Sequence, residues 1–377
     1  MNKKFDVAIR GGGLVGHTLA LLLARERLRV ALVTPPHPAA TAPDIRAYAL
    51  NAASQALLED LRVWPGSNDP NTTAAVTPVQ HIWVSEQAAV RFDADSLSAP
   101  ALSWIVDVPV LEQRLQQAVA FQSGIEVLHE APAANLTVVC EGKRSATREH
   151  LGIEFDTKVY PQTAVAARLR CEKPHGGVAR QWFIQGAVLA LLPMEGPSGH
   201  LVALVWSVPH PRAQELLGAA PAEFAQWVQA ACQQSLGVMA LEGLPAGWPL
   251  ELSRAKRWVG AGVALAGDAA HAIHPLAGQG LNVGLADVAE LARVLREKEY
   301  WRDLGDPKLL RRYERARQAD FAAMAWVTDG LLSLFGHTDI RIQALRHWGL
   351  RNFDRLAPLK HWAARQAMGG STSVAGR

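Results

Sequence analysis

The sequence predicts an α/β protein in which a Rossmann-type parallel sheet is interleaved with a mixed or antiparallel sheet, and three observations carry that prediction. Phe5-Asp6-Val7-Ala8-Ile9 reads as a short strand, and Gly11-Gly12-Gly13-Leu14-Val15-Gly16 fits G-x-G-x-x-G. An apolar helix from His17 to Arg25 then leads to a second strand, Leu28 to Val33. Far along the chain, Gly262 to Ala266 reads as a buried parallel strand, and Leu285 to Leu295 carries apolar residues at helical spacing. Between these ends, Val159 to Arg170, Gln181 to Leu192 and Leu201 to Val208 are β-like runs separated by Pro and Gly, as in an antiparallel sheet.

Taken in order, the amino-terminal βαβ unit has glycines where a dinucleotide fingerprint needs them: Gly11 for the tight turn, Gly13 for pyrophosphate approach and Gly16 for helix packing. The fingerprint also expects an acidic residue after the second strand, to accept from the adenosine ribose. That position holds Thr34, followed by Pro35 and Pro36. A threonine hydroxyl offers a neutral hydrogen bond, about half as strong as a charge-assisted one. The spacing next predicts a helix over Ala47 to Leu61 with Arg46 at its start, a loop over Pro65 to Pro78 and a strand pair across Val79 to Phe92. An amphipathic helix over Val108 to Phe121 and short strands at Ile125 to Leu128 and Leu136 to Cys140 follow. After the three β-like runs, Pro221 to Leu236 reads as a helix. No internal repeat or low-complexity segment interrupts the pattern.

Composition narrows the function classes. With 377 residues, 49% of them hydrophobic, the chain can bury a sizeable core in two interleaved domains. A formal charge of +3 with interspersed signs argues against a nucleic-acid binder. Cys140, Cys171 and Cys232 are odd in number and lack C-x-x-C spacing, which fits reduced thiols in the cytosol and gives no metal site. Two lysines precede an apolar stretch that Arg10 and three glycines break, so the start reads as fold and not as a signal peptide. No apolar run approaches the ~18 residues that span a bilayer.

The richest stretch runs from Gly267 to Gly284: Gly-Asp-Ala-Ala-His-Ala-Ile-His-Pro-Leu-Ala-Gly-Gln-Gly-Leu-Asn-Val-Gly. Asp268 stands at the carboxyl end of a strand, where open α/β sheets bind ligands, and Gly278 and Gly280 leave room for something flat at a helix start. A carboxylate accepts from a polyol, and a helix amino end offers unpaired N–H groups with partial positive charge. That pairing suits a flavin, with Asp268 on the ribityl hydroxyls and the helix start at the pyrimidine edge, where negative charge collects on reduction. The dipole contribution, roughly 0.3 to 2 kcal/mol, tunes a flavin and does not create its chemistry. A Gly-rich turn without a ligand is the competing reading.

The chain resembles the flavin-dependent aromatic hydroxylases of ubiquinone biosynthesis, the 2-polyprenylphenol hydroxylase family within the para-hydroxybenzoate hydroxylase group. The resemblance spans nearly the whole chain. It rests on Gly11, Gly13 and Gly16; Asp44-Ile45-Arg46 with Ala49-Leu50; Tyr160 to Val165; Gln181-Trp182-Phe183 with Gly186 and Leu189 to Pro193; Val205-Trp206-Ser207; and the 267 to 284 motif with Asp287.

The family implies a glutathione-reductase-like FAD domain, a substrate domain whose mixed sheet covers the flavin, and carboxyl-terminal helices. It implies NADH or NADPH as reductant, O2, a flavin C4a-hydroperoxide, and hydroxylation of a polyprenylated phenol. Residues 1–74, 99–157 and 254–310 would form the FAD domain, 75–98 and 158–253 the substrate domain, and 311–377 a helical region. Gly11, Gly13 and Gly16 would contact pyrophosphate, Thr34 the adenosine side, Arg46 and Glu141 the cofactor, and Asp268 the ribityl. Pro275, Gly278, Gln279, Gly280, Leu281 and Asn282 would flank the isoalloxazine. His274, held extended by the proline after it, is the candidate for phenol deprotonation. His271 and His274 as packed, hydrogen-bonded histidines is the alternative.

Two departures from the family pattern accompany Thr34. Glu141-Gly142 stands where the family has Asp-Gly, which moves the carboxylate by roughly 1.5 Å, with Ser145 and Arg148 retained. Only Glu130 to Asn135 separates two strands where the family inserts a β-hairpin. These changes leave open a flavin-poor accessory homologue in a quinone-synthesis complex, or a hydroxylase of a soluble phenol. From Ala325 to Arg365, Trp326, Phe335, Trp348 and Trp362 alternate with Arg341, Arg346, Arg351 and Lys360. That interleaving suits either a helical cap or peripheral contact of a cytoplasmic protein with the inner membrane face.

Overall fold

The computed structural model describes residues 5–34, 43–66, 70–85, 89–184, 186–196, 198–272 and 280–336. His274, Pro275, Gly278 and Gln279 lie outside these residues, as does 337–377, the greater part of the aromatic and cationic stretch. The chain begins β1 (Phe5–Arg10), α1 (Leu14–Arg25), β2 (Val30–Val33), β3 (Ala47–Leu50), α2 (Ala52–Asp60), β4 (Val76–Val79), β5 (His81–Ser85) and β6 (Ala89–Asp93). β7 (Ser103–Asp107), α3 (Val108–Ala120), β8 (Ile125–Leu128), β9 (Ala134–Val139), α4 (Ala146–His150), β10 (Phe155–Cys171), β11 (Val178–Ile184) and β12 (Ala187–Pro193) follow. Then come β13 (Leu201–Pro209), α5 (His210–Gly218), α6 (Pro221–Ala231), β14 (Met239–Ala255), β15 (Val259–Gly260), β16 (Val263–Leu265), β17 (His271–Ala272), α7 (Gly280–Arg296) and α8 (Pro307–Gly336).

A six-stranded sheet has the order β15-β16-β9-β1-β2-β8, parallel except for β15. Val7, Ala8 and Ile9 of its β1 are fully buried, because a parallel sheet is covered on both faces and its strands are continuously apolar. One face carries α1, α3 and α7 over the main core. On the other face Phe5, Ala8 and Ala31 pack against Leu128 and Ala134, the two ends of the β8–β9 crossover. No strand lies between Leu128 and Ala134, so the family's hairpin is absent.

An eight-stranded mixed sheet has the order β17-β14-β10-β13-β12-β11-β5-β6, with β11 and β5 its parallel pair. Helices α5 and α6 cover one of its faces through Leu216, Phe224 and Val228. A small antiparallel sheet, β3-β7-β4, lies between the two large ones and packs Ala47, Ala49 and Ile105 against Leu201 and Ala203 of β13.

Three local expectations are corrected. The helix expected from Ala47 starts only at Ala52, because Ala47–Leu50 pairs antiparallel with β7 and Asn51 caps the helix, accepting from the Ser54 N–H at 2.9 Å. Arg46 therefore precedes a strand. The run Gln181 to Leu192 is a hairpin, broken where Gly186 takes a φ of 82°. The helix from Pro221 stops at Ala231, with Gln233 and Gln234 left-handed just beyond it. Gly243, Pro245, Gly247 and Pro249 lie within β14, which pairs along β10 with two register breaks that absorb them. Replacing Asn51 by Ala should lower stability by about 1 kcal/mol, and Asn51→Asp should retain it; urea unfolding midpoints at constant slope measure the difference.

Candidate cofactor and substrate site

The two large sheets meet at one turn. β16 belongs to the six-stranded sheet and β17 to the edge of the eight-stranded one, and Gly267–Ala269 lies between them. Gly267 takes a φ of 62°, and a Cβ there would meet Val15 at 3.3 Å; a Cβ on Gly284 would meet the same side chain at 2.9 Å. Two glycines thus close around Val15 and bring α1, α7 and the turn together. At the start of α1, a Cβ on Gly11 would meet the Cys140 carbonyl oxygen at 2.3 Å, and one on Gly16 would meet the Gly11 carbonyl oxygen at 1.9 Å. A Cβ on Gly13 would meet nothing within 4 Å. Gly11 and Gly16 serve close packing, and Gly13 borders open space.

A buried carboxylate fixes the turn. Asp287 of α7 accepts from the Gly267 N–H at 2.9 Å and from His271 Nε2 at 2.6 Å through one oxygen, and from Arg317 Nε of α8 at 2.8 Å through the other. Asp287 is fully buried and His271 is 2% exposed. Burial alone would raise the Asp287 carboxyl, but His271 and Arg317 outweigh it and hold the group below its ordinary value. The His271 ring lies between Trp258 and Phe321, each centroid 4.8 Å away. His271 is therefore a packed, hydrogen-bonded histidine. Arg148 supports the turn from below, donating to the Ala269 carbonyl at 3.2 Å and lying 3.7 Å over the Phe155 ring.

Asp268 stands next to this anchor in the turn. Solvent reaches its side chain, yet enough protein surrounds the carboxyl that burial pushes it above its usual range, with His271 and Lys143 opposing and Asp287 adding to the rise. That combination belongs to a carboxylate in a cleft. Among the described residues it has no hydrogen-bond partner. At the end of β2, Thr34 Oγ1 is buried without a partner, and its methyl packs where a Cβ on Gly12 would lie, 2.3 Å away. A Cβ on Gly280 would meet nothing within 4 Å at the start of α7, where backbone N–H groups have no partner inside the helix. An open glycine, an orphaned hydroxyl, an unpartnered carboxylate and a helix amino end fit the pyrophosphate, ribose, polyol and flavin edge of FAD.

Other residues singled out from sequence have protein partners. Glu141 accepts from Arg10 Nε at 3.1 Å, Ser145 Oγ at 2.7 Å, and both Thr147 N–H and Oγ1 at 3.0 and 2.6 Å. Burial would raise its carboxyl, but these donors, Thr147 foremost, hold it low. Asn282 Oδ1 accepts from the Asn51 N–H and Ser54 Oγ, and Nδ2 donates to the Ala49 carbonyl, all within 3.0 Å. Its side chain clamps α7 to β3 and α2, and the Leu281 side chain lies in the core, which leaves only their backbone for a cofactor. Arg46 pairs with Asp44 at 2.6 Å and approaches Glu112 at 3.8 Å.

Three residues escaped sequence reading. Tyr48 hydrogen-bonds Arg46; burial and the nearby Asp268 charge push its phenol up, and Arg46 opposes them. Arg168 of β10 grips Asp107 at 2.7 Å and the Ile45 carbonyl at 3.3 Å, tying the substrate sheet to the segment that carries Arg46. Arg317 lies thirty residues from its carboxylate. Only the strand alternation around Tyr48 was available as a signal.

Gly16→Ala should cost about 1–3 kcal/mol through overlap with Gly11, read as a lower urea midpoint. Gly13→Ala should cost under about 1 kcal/mol as a helix cap and act instead on FAD retention, measured by the flavin-to-protein absorbance ratio. Asp287→Asn should destabilise by about 3–5 kcal/mol, because His271 and Arg317 lose a buried charge partner. The folded Asp287 carboxyl ionises at lower pH than the unfolded one, so its stabilisation is complete above about pH 4 and fades as pH falls through the depressed folded value. The gap in urea midpoint between the wild type and Asp287→Asn should accordingly narrow toward acid.

The family profile described as FAD binding domain matches residues 129–327. The chain is 32% identical to the ubiquinone hydroxylase UbiL of Rhodospirillum rubrum, over 98% of this chain and 90% of that one. It is 31% identical to the 3-demethoxyubiquinol 3-hydroxylase of Escherichia coli, over 98% and 99%. The crystal structure of p-nitrophenol 4-monooxygenase PnpA from Pseudomonas putida superposes with a TM-score of 0.77 at 15% identity, covering 98% of this chain and all of that one, which shows a shared fold. Among the described residues no helix is long and apolar enough to cross a membrane. With a matching domain profile and full-length relatives above 30% identity, the chain belongs to the FAD-dependent aromatic hydroxylases, in the family of the ubiquinone-biosynthesis hydroxylases.

Proposed function

We propose that this protein is an FAD-dependent monooxygenase that hydroxylates a polyprenylated phenol on the route to ubiquinone, using O2 and NADH or NADPH. The observation that carries the reading is the Asp268 turn: a carboxylate without a protein partner, held at the junction of the two sheets beside an open glycine loop. The full-length similarity to hydroxylases named for ubiquinone and demethoxyubiquinol supports the substrate class.

Gly11, Gly13, Gly16 and Thr34 would hold the adenosine diphosphate half, Arg46 would contact the cofactor from β3, and Asp268 would accept from the ribityl hydroxyls. The backbone of Gly280, Leu281 and Asn282 would face the flavin edge. Glu141 would contact the cofactor from the loop before α4, which its bonds to Ser145, Thr147 and Arg10 hold in shape. Bound FAD supplies the electron transfer and oxygen activation, and the protein's share is positioning and exclusion of water. His274 is assigned phenol deprotonation, Pro275 is placed beside the ring, and Gly278 and Gln279 complete the turn, all four on sequence alone.

The division into an FAD domain (1–74, 99–157, 254–310), a substrate domain (75–98, 158–253) and a helical region (311–377) belongs to the same reading. So does a cytoplasmic location with peripheral contact at the inner membrane face, where a polyprenylated phenol resides.

The purified protein should be yellow, and deletion of its gene should remove or shift a hydroxylated quinone intermediate in a mass-spectrometric profile. A colourless protein with an unchanged profile would overturn the reading in favour of an accessory homologue. A yellow protein with unchanged quinones would make it a hydroxylase of soluble phenols. Asp268→Ala should weaken FAD binding roughly 10- to 100-fold, the worth of hydrogen bonds to a charged group; unchanged occupancy would remove its ribityl role.

A further inference from the structure

The connection from α7 to α8 carries two large aromatic side chains outward. Tyr300 is 90% exposed and Trp301 68%, and their rings meet edge to face with centroids 5.0 Å apart. A single exposed apolar residue is ordinary. A Trp and a Tyr exposed side by side are the residue types that anchor protein interfaces.

Beside them lies a groove of about 550 Å³, lined by Trp301 together with Asn135, Gly262, Gly305 and Pro307. The Gly262 N–H donates to the Gly305 carbonyl at 2.9 Å, and a Cβ on Gly305 would meet the Asn135 carbonyl oxygen at 2.5 Å. The floor is therefore closely packed backbone. Arg302 pairs with Glu299 at 2.8 Å and with Asp306 at 2.7 Å, which holds the loop in one shape and lowers the cost of docking on it. Asn135 and Gly262 lie at the amino ends of β9 and β16, so the groove is at the opposite end of the six-stranded sheet from the Gly267–Ala269 turn.

Charge identifies the occupant. The ion pairs of this segment join Arg302, Arg312, Glu299 and Asp306, and they leave out Asp303 in the groove wall and Lys308 just beyond Pro307, both exposed. One anion, one cation, a protruding ring and a groove for a ring make a surface complementary to itself. In a two-fold contact the same patch meets its own copy, so Asp303 faces Lys308 in both directions. A lipid surface or a partner of a single sign would leave one of the two charges unmatched.

We propose that this face is a two-fold interface between two copies of this chain, with Tyr300 of each copy seated on Trp301 and the Gly262–Gly305 floor of the other. The inference stands apart from the hydroxylase reading, because both cofactor clefts lie outside the contact. The interface also clamps the segment that joins the helix of Asp287 to that of Arg317. Thermal midpoints should accordingly rise with protein concentration.

The test is sedimentation velocity of the full-length, FAD-loaded protein over a concentration series. Wild type should sediment as two chains. Tyr300→Ser should weaken association roughly 30-fold or more, the loss of one anchoring aromatic, with FAD content and circular dichroism unchanged. Asp303→Lys and Lys308→Asp should each be monomeric alone, and an equal mixture of the two should form dimers, because every cross pair is then opposite in sign. A monomeric wild type, a dimer indifferent to Tyr300→Ser, or a mixture that stays monomeric overturns the interface. Phosphatidylglycerol-containing vesicles that co-sediment with wild type but not with Tyr300→Ser would give this face to a membrane instead.

Discussion

Much of this structure depends on one carboxylate. Asp287 has no exposure to water, and transfer of an ion into such a site costs several kcal/mol before any partner is counted. The cost is met by three donors arriving from three different elements: the Gly267 N–H, the His271 ring and the Arg317 guanidinium. None of the three is a sequence neighbour, so the bond set can form only when the strand end, the edge of the substrate sheet and two helices are all in place. A buried ion pair is weak evidence of net stability but strong evidence of a unique arrangement. Here the arrangement holds the turn that carries Asp268, with the glycines on either side of Val15 closing the gap between loop and turn.

A second set of contacts fixes the substrate sheet relative to the first. The β3–β7 layer lies on one end of the β13 face, and Arg168 reaches across to Asp107 and the Ile45 carbonyl. The layer's limited extent matters as much as its presence, because the row of Ala166, Val205 and Ala190 beyond it stays partly exposed.

The legible parts of the sequence were those in which a backbone requirement forces a residue type. Gly11, Gly16, Gly267 and Gly284 stand where a Cβ would collide with backbone or with Val15, and such positions read as glycine motifs without any tertiary knowledge. The buried strands of the six-stranded sheet were equally visible as apolar runs. Less visible were outcomes decided by a distant partner. Ala47–Leu50 has helix-forming composition and became a strand because β7 was there to pair with it. Residues 239–255 carry prolines and glycines that suggest a loop, and seventeen residues of β10 override them. Glu141 was read as a cofactor contact because its position is a motif position; its four bonds to Arg10, Ser145 and Thr147 depend on a loop geometry that spacing alone does not contain.

The short pairing of β16 with β9 has a consequence for biosynthesis. Thr137 pairs with Val263, so the chain closes its first sheet only after seven of the eight strands of the second have been made, with β17 alone to follow. Contacts of such long sequence separation form late and slowly, and on the ribosome the amino-terminal part waits for them with an unfinished edge. The anchoring carboxylate emerges later still, and Arg317 after it. Until Asp287 and Arg317 have both been made, the nascent chain lacks the contacts that hold the Gly267–Ala269 turn and the last-made third of the protein against the first sheet.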